Sequence, residues 1–213
     1  MSATCWIALL WGVSGGCARS EERWTEDLSS PDPFVRGMAA IGLGVQAPDR
    51  AKPAIEELLA MVDSTSTGLE REAAWVLHRL GPAHAAQLLD HLVSLDLMSA
   101  ERRGTIQNAL VAGGAVSAGR VVECMRGPGR GRVGDLGDVL LAIGEPAVPA
   151  IERMLVDEPD VRLQRFAAFL LGRLGPAAAQ AESSLRGAAA ADDAELAAMA
   201  REALSQLKRG WAR

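Results

Sequence analysis

Apolar residues recur along this chain at three- and four-residue steps, and six stretches repeat one pattern. VRGMAAIGLGVQAP from Val35, LEREAAWVLHRLGP from Leu69 and LQRFAAFLLGRLGP from Leu163 align without gaps over fourteen residues. RRGTIQNALVAGGA from Arg102, VGDLGDVLLAIGEP from Val133 and LAAMAREALSQLKR from Leu196 fit the same frame more weakly. The intervals between starts are 34, 33, 31, 30 and 33 residues, the length of one helix pair with two tight turns. Positions 1, 5, 8, 9 and 12 form the stripe that a helix buries. Of the thirty such slots, 24 hold Ala, Val, Ile or Leu, whereas the chain's 49% apolar fraction would place about fifteen. Position 9 is Leu in every copy: Leu43, Leu77, Leu110, Leu141, Leu171 and Leu204.

Four of the copies end in a breaker. Gly81-Pro82 and Gly175-Pro176 are expected to stop the helix, and Pro48 and Pro146 to do the same without the adjoining glycine. A second apolar segment follows each of the first five copies, beginning at Pro53, Ala85, Ala118, Pro149 and Ala177, and the sixth copy runs on to Arg213. The pattern predicts an all-α fold of five helix pairs plus a closing helix. Composition agrees: there is no Tyr, there are only three Phe, and Ala and Leu dominate, so helix formers replace the residues that strands favour.

The motif A-A-x-x-L-G-x-L-G-P followed by P-A-I-x-x-L resembles the HEAT repeat, in particular the short bacterial variety found in phycobilisome lyases. The resemblance covers about residues 28 to 209 and includes Ser30-Pro31-Asp32-Pro33 as the turn into the first helix. It implies an α-α superhelix over 28–213 that acts as a non-enzymatic protein–protein interaction scaffold; the alternative is a bilin-lyase-like or enzyme-accessory subunit. In such solenoids the second helices line the concave face. Each second segment here carries a carboxylate between its apolar residues: Glu56 and Glu57, Asp90, Glu123, Glu152 and Glu182. These are the candidate partner-binding residues, an acidic ladder for a basic or extended protein or peptide; the plainer alternative is an ordinary solvated face.

The first residues follow a different pattern. CWIALLWGV, from Cys5 to Val13, is too short to span a bilayer and is followed by Ser14-Gly15-Gly16 and then Cys17. Residues 1–16 thus read as a signal peptide, and Cys17 resembles the lipidated cysteine of a bacterial lipoprotein. Ser14 stands where such sequences usually carry Leu, and no Lys or Arg precedes the apolar run. The alternatives are a start further along the chain or an apolar helix packed on the end of the array. Lipidation implies a periplasm-facing envelope protein held to the membrane through Cys17 only; without it the address is cytoplasmic. Residues 17–27, acidic through Glu21, Glu22, Glu26 and Asp27, are either a polar tether or a short capping helix with Trp24 as its apolar anchor.

Charge and motif chemistry narrow the remaining classes. A net charge of −5 gives no basic footprint for nucleic acid. GPGRGRVGDLG lacks the G-K-[ST] of a phosphate loop. Arg126, Arg130 and Arg132 there could hold an anion or stand on a solvated loop, and the glycines of 126–137 make a candidate hinge or a plain surface loop. His84 and His91 are seven residues apart, about 10 Å along a helix, too far to share a metal ion. With Cys5 in the signal and Cys17 acylated, Cys124 is the one free thiol expected. No catalytic residue, metal or cofactor is assigned.

Overall fold

The computed structural model describes residues 20–63, 68–94 and 99–209. Among them every regular element is helical and no strand occurs, so the fold is all-α. The α-helices are α1 (Glu21–Asp27), α2 (Pro33–Gln46), α3 (Ile55–Val62), α4 (Glu70–Ser94), α5 (Ala100–Ala112), α6 (Gly114–Arg126), α7 (Val133–Ile143), α8 (Val148–Asp157), α9 (Val161–Leu174), α10 (Glu182–Ala188) and α11 (Ala194–Arg209). Short 3-10 turns join several of them, at Pro48–Arg50, Lys52–Ala54, Pro128–Arg132, Glu145–Ala147 and Gly175–Ala181. No described helix is long and apolar enough to cross a membrane.

The first helices begin by a shared device. Asp32, Ser99, Asp160 and Asp193 each stand three residues before a copy of the repeat. Their side chains accept from the amides of Phe34 at 2.9 Å, Arg102 at 3.0 Å, Arg162 at 3.0 Å and Leu196 at 2.7 Å. Each bond satisfies a donor that the first turn leaves open, a contribution of about 1 kcal/mol.

Successive first helices pack side by side, α2 on α4, α4 on α5, α5 on α7, α7 on α9 and α9 on α11. The second segments follow the same order, α3 against α4, α4 against α6, α6 against α8 and α8 against α10. One continuous apolar core lies between the two rows. Residues 21–27 form a capping helix rather than a tether: Trp24 is buried against Gly42, and its indole Nε1 donates to Gln46 Oε1 at 3.1 Å. A Cβ on Gly42 would lie 2.6 Å from the ring, so the glycine is what seats it.

Three expectations need correction. The fourth copy begins at Arg132, not Val133: Leu136, Val139, Leu140 and Ile143 are buried, and Leu141 is only partly so. Leu140 therefore holds position 9. The shift also places Gly144 level with Gly114 and Gly175, and all three have positive φ (76°, 52° and 56°), where a side chain is strained. Secondly, the break announced by Gly81-Pro82 falls two residues later, at His84, where two helices meet across a kink. α4 runs through both residues and bends at His84 (φ −120°, ψ 23°). Proline is tolerated there because it sits just before the bend, where a new helical turn begins. Thirdly, the segment after the fifth copy starts as a 3-10 turn, and the α-helix is confined to Glu182–Ala188.

The glycine-rich junction is folded rather than extended. Gly129 is buried, and a Cβ there would meet Leu136 at 2.5 Å and Cys124 Sγ at 2.9 Å. Gly137 admits the Phe166 ring, whose tip would lie 2.5 Å from a Cβ. Gly131 and Gly134 have open space around them.

Candidate functional site

The second segments superpose position by position through their buried residues. Ala51, Ala85, Ala118, Ala147 and Ala178 form one column, each at most 3% exposed. Leu58, Leu92, Met125, Met154 and Leu185 form another, also buried. Ile55, Leu89, Val122 and Ile151 lie between them, and the next residue outward is Glu56, Asp90, Glu123 or Glu152. The four acids are thus equivalent, one per helix pair. Glu57 is one position on, level with His91, Cys124, Arg153 and Ser184. In the fifth pair the equivalent of the acids is Ser183; Glu182 precedes it by one residue, in the column held elsewhere by Ile, Leu or Val.

The row is stitched from one pair to the next. His91 Nε2 stands 3.4 Å from Glu56 Oε1, and Ser184 Oγ donates to Glu152 Oε1 at 2.5 Å. His91 and Ser184 occupy equivalent positions, so each link runs from an acid to the residue beyond the acid position of the following pair. The Asp90 charge lies near enough to Cys124 of α6 to act on its thiol. The other carboxylates have partners on their own pair: Glu57 with Arg36 at 3.3 Å, Glu123 with Arg120 at 3.0 Å and Glu182 with Arg186 at 2.7 Å. The Glu56 and Glu123 side chains remain 73% and 61% exposed, and Asp90 is exposed as well. Solvent-facing pairs of this kind contribute little to stability and can be traded for a partner's charges.

Charge at the opposite end of the pairs is committed to the fold. Asp63 receives Ser99 Oγ and stands 2.7 Å from Arg102; Arg165 grips Asp193 at 2.6 Å and Glu195 beside it. Arg126 and Arg130 do not form an anion cradle. Arg126 Nε donates to Glu158 Oε2 at 2.5 Å, Arg130 stands 3.7 Å from Asp160, and Arg132 stands 3.5 Å from Asp135. Each guanidinium faces a carboxylate of the chain itself, and an added anion would have to displace it.

The remaining candidates are structural in their surroundings. His84 Nε2 donates to the Pro48 carbonyl at 2.6 Å, and His78 is exposed. Among the described residues no group of three or more His, Cys, Asp or Glu could hold a metal ion. Burial pushes the Cys124 thiol up; the bond from the Gly129 amide works against this and the nearby Asp90 charge adds to it. A thiol held protonated is a poor nucleophile. Exposed Trp75 and Phe169 hold the same place in their copies, each beneath an arginine four residues on, Arg79 at 5.0 Å and Arg173 at 5.8 Å. The sequence reading passed over this repeated pair, although A-A-W-x-x-x-R and A-A-F-x-x-x-R display it. Cys17, residues 1–16 and Cys5 lie outside the described residues.

No family model matches the chain, and no curated protein matches it either.

Proposed function

We propose that the helix pairs stack into a HEAT-like solenoid, and that the chain is a non-enzymatic scaffold binding a basic, extended segment of another protein. The observation that carries this reading is the row of equivalent acids Glu56, Asp90, Glu123 and Glu152, with the first three open to solvent. A regular spacing of like charges suits a partner whose cationic side chains recur along an extended backbone. On this reading Cys17 carries a lipid that holds the protein to a bacterial envelope membrane, facing the periplasm.

The partner side is tested with a fluorescein-labelled oligolysine peptide titrated into the full-length protein in mild detergent. Reversing Glu56, Asp90 and Glu123 to Lys should weaken binding at least about tenfold and flatten its salt dependence. Reversing exposed Glu22, Glu101 and Glu145 changes net charge equally and should weaken it far less. Equal losses from the two sets mean that only overall charge is sensed, and the docking row is then wrong. The address is tested separately by fractionation and N-terminal mass analysis beside Cys17→Ser; an uncleaved, soluble wild type removes the lipid anchor and leaves the scaffold to stand on the titration.

A further inference from the structure

The fourth helix pair, α7 with α8, is built differently from its neighbours. α7 contains Gly134 and Gly137, and a helical glycine costs about 1 kcal/mol relative to alanine. Its N-terminus has no capping side chain, because Gly129 stands where the other copies carry Asp or Ser. Its backbone also approaches α5 and α9 over shorter stretches than α4 shares with α5 or α9 with α11. Two straps cross this pair. Arg126, at the end of α6, donates to Glu158, which follows α8 and has a side chain only 4% exposed. Arg130 reaches Asp160 beside it. The Glu158 backbone carbonyl in turn accepts from Gln164 of α9 at 2.6 Å, so the backbone that carries the carboxylate is tied to the following pair as well.

We propose that α7–α8 is a hinge unit that opens while the rest of the chain stays folded, and that the Arg126–Glu158 pair is its latch. A short, uncapped, glycine-bearing helix with few close backbone approaches lies at the low end of local stability. A buried carboxylate is tolerable only with its cation in place, so closing the unit and forming the pair become one event. Glu152 lies in the hinge unit itself, so opening would change its spacing from Glu56, Asp90 and Glu123. This consequence rests on the scaffold reading; the hinge does not.

Hydrogen exchange read by mass spectrometry on the full chain tests the proposal with wild type, Arg126→Gln, Glu158→Gln and the double variant. In the wild type, amides of 133–143 should exchange faster than the buried stretches of α5 and α9. Arg126→Gln should raise exchange across residues 128–157 by about tenfold or more, with 35–46 and 196–207 unchanged. The double variant should recover most of the protection, since two neutral amides can bond and no charge is left alone. If Arg126→Gln fails to fold by circular dichroism, Glu158→Gln is read against the same criteria, its unpaired guanidinium being able to reach water. The proposal is overturned if wild-type 133–143 is as slow as α5 and α9, if exchange rises evenly along the chain, or if the double variant is as exposed as the single.

Discussion

The joints at α4–α5 and α9–α11 and the joints around α7 hold neighbouring repeats together by different means. A Cβ on Gly81 would lie 1.8 Å from the Ala109 carbonyl oxygen, and one on Gly172 would lie 3.1 Å from Ala203 Cα and Cβ. At Gly81 the two helices meet backbone to backbone, against the Ala109 carbonyl oxygen, and at Gly172 the Ala203 backbone stands just behind the end of the Gln206 side chain. At α7 the meeting is through side chains: Phe166 lies across Gly137, and Arg126 is bonded to Glu158. A joint made by the absence of a side chain is fixed by shape, and an added side chain must push its neighbours aside. A joint made by a ring and an ion pair can separate and re-form. The same fourteen-residue pattern therefore yields both a rigid contact and a movable one.

The largest effect should come from filling a backbone joint. Gly81→Val places two methyl groups where the Ala109 carbonyl already stands, and neither backbone can retreat without separating α4 from α5. A loss of more than about 4 kcal/mol is expected, read as the urea midpoint of a cooperative transition. Gly172→Ala is milder, about 1 kcal/mol, because its nearest neighbour is the movable end of Gln206, with Ala203 slightly further off. Equal costs at the two sites would mean that the two contacts are not of the graded closeness described.

Next in size is a pair of substitutions that fixes the frame of the fourth copy. Leu140 is fully buried and Leu141 only partly, so Leu140→Ala should cost about 3 kcal/mol and Leu141→Ala about 1 kcal/mol or less. The reverse order would restore the frame that starts at Val133. The sequence misleads here because both residues are leucine and only the neighbours decide. The neighbours do carry the signal: the Arg132 frame puts Leu136, Val139, Leu140 and Ile143 on the stripe, whereas the Val133 frame puts Gly137 and Gly144 there.

Much of the helical order was legible, since position 9 and its companions repeat at helical spacing in six copies. The capping column Asp32, Ser99, Asp160 and Asp193 was equally visible, once the fourth copy is allowed to lack it. The alanine column Ala51 to Ala178 was harder to see: alanine is common throughout the chain, and only burial separates these five from the rest. Breaker reasoning at Gly81-Pro82 found the break but put it two residues early: the bend is at His84, and Gly81 itself serves the close approach to Ala109. The acids were found by type, but their roles were not. Glu56 and Glu152 each meet a residue of the next pair, more than thirty positions away, which no local pattern encodes. Glu182 was grouped with them by proximity along the chain, whereas packing puts Ser183 in that place.

A smaller effect of opposite sign should appear at Gly134. A Cβ there meets nothing within 4 Å, so Gly134→Ala gains helix propensity without a clash. About 0.5 kcal/mol of added stability is expected, with slower amide exchange confined to α7. Loss of stability at this site would show that α7 is already packed as tightly as α4 and α5.

The smallest effect sharpens the contrast at the ion pairs themselves. Arg165 holds Asp193 with two bonds, at 3.0 and 2.6 Å, and the Leu196 amide donates to the same carboxylate. The Arg165 bonds, followed by that amide, lower the Asp193 carboxyl below its ordinary 3.8. A group depressed in the folded state adds stability above its unfolded value and loses it as pH falls through the folded one. Asp193→Asn should therefore lower the urea midpoint slightly at pH 7, with the difference from wild type closing below about pH 4. In this joint the backbone contact at Gly172 remains when the charge is gone, so exchange in α9 should not rise and α11 should loosen only in its first turn. Arg126→Gln should open α7 throughout, because what lies against Gly137 of α7 is the Phe166 ring, not a neighbouring backbone. If Asp193→Asn instead exposed α9 and α11 along their length, the ion pair rather than the glycine would be holding that joint, and the two regions would be of one kind.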